Sequence, residues 1–229
     1  MFEQFLWVVL PYIVLTIFIG GHIYRYQHDQ FGWTSKSSEL LEKKLLRLGS
    51  NLFHWGIIFV FFGHVMGLLI PIKVYESMGI TEHQYHIIAL SGGIPAGIAA
   101  TVGILLLLYR RMSVRRLIKT STKGDWVALV CLSIVILSGM SATFLNINPN
   151  GFDYRTTIGP WLRGVLTFRA DASHLANVPI WFKIHLLAVL GIFAAWPFTR
   201  LVHVFSLPLR YLTRSYVIYR KRGPKQESL

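Results

Sequence analysis

The sequence has very little cysteine and few acidic residues. Its one cysteine, Cys131, lies in an apolar run, so this chain alone supplies no disulfide framework, zinc site or iron–sulfur cluster. Charged residues make up 14% of the chain, whereas an ordinary soluble domain has about a quarter. Aspartate and glutamate number 10, and all of them lie outside the long apolar blocks. A membrane transport path lined with carboxylates is therefore disfavoured.

Hydrophobic residues are abundant, at 53% of the chain, and they gather in five long blocks. A helix of about twenty apolar residues is long enough to cross the roughly 30 Å hydrocarbon core of a bilayer. The blocks predict transmembrane helices at residues 5–24, 51–70, 87–109, 126–146 and 182–205. We expect an all-α integral membrane protein, with one membrane domain over residues 1–229 that includes a basic tail at 206–229. We expect the first block to be a retained span, because it follows MFEQF and ends in bulky residues.

Segments rich in basic residues alternate with segments that contain few, which is the distribution that sets the orientation of membrane proteins. The net charge is +13, and lysine and arginine concentrate in the segments after the first, third and fifth blocks. The segments after the second and fourth blocks contain few. Cytoplasmic loops carry the excess of lysine and arginine, so the N-terminus is expected outside and the C-terminus in the cytoplasm. This distribution favours a membrane protein over a nucleic-acid-binding protein.

Four histidines lie inside two of the predicted spans. His54 and His64 belong to the second, and His185 and His203 belong to the fifth. Two spans of opposite direction place His54 and His203 near the cytoplasmic face, and His64 and His185 nearer the outer face. An imidazole in a bilayer has lost water as a partner and needs a ligand or a polar neighbour.

The spacing of these histidines suits two haem groups. Eighteen residues separate the pair in the fifth span, which is five turns of a continuous helix, so both rings would share a face. Ten residues in the second span leave its rings roughly 80° apart. A flat macrocycle with two axial imidazoles fits between such helices and carries electrons, because its iron has no open position. Arginines at the cytoplasmic edge are candidates for its propionates: Arg25, Arg110, Arg111 and Arg200.

Two alternatives use the same residues differently. A lone histidine in a span is more often a packed, hydrogen-bonded residue than a ligand. A metal or proton transporter, or a sensor without a redox cofactor, would also place histidines in spans, although such proteins usually add carboxylates there. His86 and its neighbour His83 stand at the outer start of the third span, where an imidazole could accept protons.

Several segments together resemble the gamma subunit of respiratory, membrane-bound nitrate reductase. They are SNLFHWG and GHVMG in the second block, KIHL and PFTRLVHVFSLPLRYLTR at the C-terminal end, and, in support, PYIVLTIFIGGHIYRY and DYRTTIGPWLR. The resemblance covers essentially the whole chain. It implies a quinol:nitrate oxidoreductase subunit, a cytochrome b with two b-type haems in the bacterial cell membrane. A related dihaem anchor of another reductase is separated from it only by this resemblance.

The resemblance also implies ligands and a quinol site. It assigns His54 and His203 to the cytoplasmic-side haem, and His64 and His185 to the outer-side haem. Menaquinol or ubiquinol would be oxidised beside the outer haem, near Gly63, His64, Gly67 and the start of the third span. Family members can carry a lysine at that start, whereas this chain reads EHQYH, which makes Gln84 and His86 the candidates.

Expected partners follow from the same resemblance and from composition. The gamma subunit anchors an iron–sulfur (beta) subunit, which passes electrons to a molybdenum (alpha) subunit that reduces nitrate. This chain has no ligand set for molybdenum, so we expect no nitrate-reducing site within it. Residues 28–48 and the tail from Ser206 onward mix arginine with aromatic side chains, as protein interfaces do. Attraction of these basic segments to anionic membrane lipid is the alternative.

Overall fold

A computed structural model describes residues 1–30, 32–33, 38–148 and 151–206, and these form helices and turns without a β-strand. Five helices are long and apolar enough to span a membrane: α1 (Phe2–His28), α2 (Lys44–Leu69), α4 (Glu82–Ser113), α6 (Lys123–Leu145) and a fifth over Ile180–Phe198 that begins with α8 (Ile180–Ala195). Shorter helices lie between them: α3 (Ile72–Ser77), α5 (Arg115–Thr120) and α7 (Ile158–Leu166). The predicted all-α fold with five spans is confirmed. The predicted tail interface lies outside the described residues.

Two of the spans begin at capping boxes. The Thr81 hydroxyl accepts the backbone N–H of Gln84, and the Gln84 side chain accepts the N–H of Thr81 in return. Thr122 and Asp125 make the same reciprocal pair at the start of α6. Each box satisfies two backbone donors that a helix N-terminus leaves open, which sets where α4 and α6 enter the membrane.

The fifth span is not the continuous helix that the residue pattern predicts. Regular α-helix ends at Ala195, a 3₁₀ turn covers Trp196–Phe198, and Thr199 is extended with φ −119° and ψ 179°. A second 3₁₀ segment, Arg200–Ser206, carries His203. Pro197 has no N–H for an α-helical bond, which favours a break at this position. The prediction that His185 and His203 share one helix face by five full turns is therefore wrong.

Arg25 of α1 holds this break in place. Its guanidinium donates to the carbonyl oxygens of Pro197 at 2.7 Å and Thr199 at 2.9 Å. Gly21, one turn earlier, lies against Pro197, where an added Cβ would be 2.9 Å from the proline Cβ. Carbonyls freed by a broken helix need such donors inside a membrane, because water cannot supply them there.

Helices α2 and α4 approach each other closely through small residues. A Cβ added to Gly56 would lie 2.5 Å from the Ala100 nitrogen and 2.7 Å from the Ala96 oxygen. Gly103 faces Phe53 and Gly49 of α2 in the same way. Without hydrophobic driving force between helices in lipid, such backbone contact is a main source of packing energy. This close approach involves the part of α4 that contains Ala96, Ala100 and Gly103.

The end of α1 that precedes Pro11 is covered by α7 and the turn after it. Pro11 has no N–H to donate to the Trp7 carbonyl, and the indole N–H of Trp161 donates to that oxygen at 2.7 Å. The Trp7 and Trp161 rings meet edge to face, with centroids 6.1 Å apart. Both are almost fully buried. This cluster attaches α7 to the membrane helices on the side where α2 ends and α8 begins.

The chain from 38 to 48 enters the second span through a turn. Residues 38–43 form turns, and helix begins at Lys44, where it continues into the second span. Arg110 explains this path. It is 2% exposed, pairs with the Glu42 carboxylate at 2.7 Å, and donates to the carbonyls of Ser38 and Glu42. These bonds fix the turn against the end of α4.

Candidate functional site: two facing histidine pairs

The four histidines of the second and fifth spans form two facing pairs. The ring centroids of His54 and His203 are 6.2 Å apart, and those of His64 and His185 are also 6.2 Å apart. The rings are inclined at 69° in the first pair and 37° in the second, so the two sites are not equivalent. Pairing in this order makes α2 and α8 antiparallel. Ten residues of α2 place the two pairs about 15 Å apart along that helix.

The hydrogen bonds define the tautomer of each ring. Nδ1 of His54, His64 and His203 lies 2.7 Å from the carbonyl oxygens of Ser50, Val60 and Arg200, respectively. A carbonyl oxygen only accepts, so each Nδ1 carries the proton and the neutral ring has its lone pair on Nε2. Metal-bound histidines almost always donate their other ring N–H in this manner.

The hydrogen-bond partner of His185 belongs to a different helix. Its Nδ1 lies 3.0 Å from the Ser138 hydroxyl oxygen of α6. That hydroxyl donates to the Val135 carbonyl at 3.0 Å, so its oxygen accepts the His185 N–H. The lone pair of His185 therefore also lies on Nε2.

The pairs fit a metal held in a macrocycle. A metal–imidazole bond is about 2.0 Å and a ring nitrogen lies about 1.1 Å from its centroid, so rings on opposite sides of one metal have centroids about 6 Å apart. The observed 6.2 Å agrees in both sites. In the part of the chain that the structure describes, no third histidine, cysteine or carboxylate joins either pair to hold a bare ion. Helix α2 packs mainly on α4, and α8 on α6 and α1, so α2 and α8 are not packed mainly against each other.

The predicted propionate partners divide into two groups. Arg25 and Arg110 are bound to backbone carbonyls and carboxylates of this chain, as described above, and Arg111 pairs with Asp125 at 3.2 Å. The predicted role of Arg25 and Arg110 toward a haem carboxylate stays a prediction. Arg200 lies 3.4 Å from Asp125 with 29% of its side chain exposed, and its predicted role stays a prediction.

His22 is a residue of this region that the sequence pattern did not single out as a site. Its Nδ1–H donates to the Phe18 carbonyl, and its ring packs against Trp33 and Phe205. Its Nε2 atom is buried without a hydrogen-bond partner. Phe205, which His22 contacts, follows His203 of the His54–His203 (inner) pair by two residues. The sequence signal that could have identified His22 is its position beside two glycines in an apolar block, GGHIY.

The predicted quinol residues occupy different surroundings. Gly63 is exposed beside His64, and no atom lies within 4 Å of where its Cβ would be. Gly67 is buried instead, with its missing Cβ 2.9 Å from the Tyr85 hydroxyl. The exposed Gln84 caps α4, and His86 Nε2 lies 3.4 Å from the Ile147 carbonyl. Gly63 is thus the one of these four that borders open space next to an imidazole of the outer pair.

A polar cluster closes the end of α2 beyond His64. The last turn, Val65–Leu69, is π-helical, and its Met66 carbonyl accepts the Tyr75 hydroxyl at 2.8 Å. The Leu68 carbonyl accepts from Arg163 at 2.6 Å. Burial raises the pKa of Tyr75 and of the neighbouring Tyr154, so these phenols remain protonated donors. The cluster satisfies the carbonyls at which the helix ends.

The fold and the site together define a class, a multi-pass α-helical membrane protein with two histidine pairs facing each other between two antiparallel spans. The chain belongs to the nitrate reductase gamma subunit family, whose family model matches residues 3–222. The chain is a component of an oxidoreductase complex and a multi-pass bacterial membrane protein.

Curated relatives agree with this family. The chain is 63% identical over 220 residues to the nitrate reductase gamma chain of Bacillus subtilis, which covers 96% of this chain and 99% of the relative. It is 37% identical over 220 residues to the respiratory nitrate reductase 2 gamma chain of Escherichia coli, covering 95% and 96%. It also matches the nitrate reductase-like protein NarX of Mycobacterium tuberculosis at 41% identity over 224 residues, which is 97% of this chain but 34% of that relative.

Proposed function

We propose that this chain is the quinol-oxidising cytochrome b subunit of a respiratory nitrate reductase. The observation that carries the proposal is the 6.2 Å centroid separation in both histidine pairs, with Nδ1 protonated in all four rings. His54 and His203 would hold one b-type haem and His64 and His185 the other. Bis-imidazole haems supply one-electron transfer without an open coordination position.

The chain's own residues fulfil three tasks in this proposal. The local hydrogen bonds of the four rings keep each Nε2 lone pair available as a ligand. The polar edge of the inner site would meet haem carboxylates through Arg200. Apolar spans around the pairs exclude water, which keeps the sites in a low dielectric.

The outer end is where we place quinol oxidation. Gly63 leaves open space beside His64, and His86 stands at the start of α4 as a candidate proton acceptor. With the N-terminus outside, protons would leave outward and electrons would travel inward to an iron–sulfur subunit and a molybdenum subunit. Moving one charge against 100 mV costs about 2.3 kcal/mol, so this separation stores energy across the membrane. The quinone species is menaquinone or ubiquinone.

A haem count tests the central proposal. The reduced-minus-oxidised visible spectrum and a pyridine haemochrome assay of the purified full chain are expected to give two b-type haems per chain. His54→Ala and His64→Ala should each lower the count to one, because each removes a ligand from a different pair. His174→Ala is the matched control, since His174 is exposed in the turn after α7. A colourless protein would refute the cytochrome and favour a transporter or sensor.

A second experiment tests the quinol site separately. His86→Ala in the assembled complex should raise the KM for quinol while the haem count stays at two. Electron delivery from a small-molecule reductant should be unchanged, because it bypasses the quinol. An unchanged KM would remove His86 from the site.

A further inference from the structure

The hydrogen bond of His185 connects two spans. The other three imidazoles of the pairs donate to backbone carbonyls three or four residues earlier in their own segments. His185 donates instead to the side chain of Ser138 on α6, which is 47 residues away in sequence. The Val135 carbonyl of α6 is a second, backbone acceptor for the ring. The orientation of His185 is therefore set by the packing of α8 on α6, and a single substitution at Ser138 removes the one acceptor that a side chain supplies.

The position of Gly139, the neighbour of Ser138, also has a structural reason: the His185 ring lies where a side chain would be. A Cβ added at Gly139 would lie 2.9 Å from Cε1 and 3.3 Å from Nδ1 of His185. Glycine in the interior of a helix costs about 1 kcal/mol relative to alanine, so its presence in the middle of α6 calls for a packing reason. The absent side chain makes room for the ring edge that carries the bonded nitrogen.

We propose that Ser138 and Gly139 are positioning residues for the outer centre, which set the ring orientation and the donor strength of His185. The proposal rests on the proposed haem function and extends it to residues that touch only the ligand. Ser138 contributes an acceptor for the ring N–H, and Gly139 contributes the space that lets the ring reach it. At the inner centre the Ser50 hydroxyl lies 3.1 Å from Nδ1 of His54, but Ser50 belongs to the same helix as that histidine.

The expected effect has a definite sign. A hydrogen bond from Nδ1–H to an acceptor raises the basicity of the ligating nitrogen and so favours the ferric state. Ser138→Ala removes that acceptor, and the outer haem becomes easier to reduce. At a fixed poise its reduced-to-oxidised ratio should rise several-fold, and a tenfold change corresponds to about 59 mV for one electron.

An optical redox titration of the haem-loaded full chain in membranes tests this. Ser138→Ala should raise the midpoint potential of the outer haem and leave the inner one unchanged, with the outer haem identified as the one that His64→Ala removes. Ser138→Thr keeps a hydroxyl and should stay close to the natural potential. Ser133→Ala is the matched control, because Ser133 is a buried serine of α6 whose hydroxyl donates only to the Leu129 carbonyl.

The outcomes separate this inference from the proposed function. Two haems with an unchanged outer potential in Ser138→Ala would overturn the role of Ser138. A lowered potential would overturn it as well, since it would show that another acceptor serves the ring better. Absence of haem from the unsubstituted protein would refute the proposed function itself. Gly139→Ala tests the space argument independently. This variant should broaden the outer-haem signal or lose that haem, and an unperturbed signal would contradict the argument.

Discussion

Gly103→Ala tests how closely α2 and α4 must approach for the inner histidine pair to form. The added Cβ would meet the backbone of the neighbouring helix, at 2.7 Å from the Phe53 Cα and 2.8 Å from the Gly49 oxygen. Ordinary contact begins near 3.4 Å and the Phe53 nitrogen would lie nearer than either of these atoms, so the helices must separate by more than about 0.7 Å. Backbone atoms cannot rotate away as a flexible side chain can, and His54 directly follows Phe53.

The expected loss of stability in Gly103→Ala is the difference between two opposing effects. Overpacking in a close-packed interface costs about 1–3 kcal/mol, and a backbone clash belongs at the upper end of that range. Alanine recovers about 1 kcal/mol of helix propensity over glycine. A net loss of about 2 kcal/mol is expected, which for a chain of this size lowers the melting temperature by roughly 6 °C.

The assay is thermal unfolding together with the haemochrome count. Gly92→Ala is the matched control, because Gly92 lies in the same helix and no atom comes within 4 Å of its Cβ position. That variant should keep both haems and melt at or above the natural temperature. Gly103→Ala should melt lower and lose the inner haem first. Equal melting temperatures and equal haem content in the two variants would refute the reasoning.

Three further predictions concern the side of the molecule where α4 and α8 end. Arg110→Gln removes a buried guanidinium that binds two backbone carbonyls, and the melting temperature should fall by about 6 °C, a loss of roughly 2 kcal/mol. The Leu45 N–H holds the pKa of the Glu42 carboxyl below its ordinary 4.5. The stability that the ionised carboxylate contributes is therefore complete above pH 4.5 and is lost as the pH falls through the lowered pKa. Melting curves over acidic pH measure this loss, and the prediction is wrong if they show no acid-sensitive step that Glu42→Gln abolishes. Arg25→Gln releases the broken segment that carries His203, and the inner haem should be lost while the outer one remains, as a redox titration with a single step would show.

Sequence reasoning succeeded where the physical signal is local. Each span is a run of apolar residues whose helical length matches the bilayer, so five spans could be counted without a structure. The four histidines could be paired from span direction alone, and the structure brings His54 to His203 and His64 to His185 in that order. The same reasoning failed at the fifth span, where extrapolating a regular period ignored Pro197.

The roles of single arginines could not be assigned from sequence. Arg25, Arg110 and Arg200 look alike as cations next to spans, yet their distant partners differ. Arg25 binds backbone carbonyls, Arg110 binds the Glu42 carboxylate and backbone carbonyls, and Arg200 lies beside the Asp125 carboxylate. The choice between a structural and a ligand-binding role depends on which acceptor lies within about 3 Å, and that is a property of packing.

The sequence by itself determined the membrane class, the number of spans and the identity of the paired histidines, because hydrophobic length and residue type act over short stretches of chain. Only the tertiary structure decided how the fifth span breaks and which side chains orient each imidazole. It also showed that Ser138 and Gly139 lie against His185. Those facts depend on contacts between residues far apart in sequence, at distances where less than 1 Å separates a hydrogen bond from none.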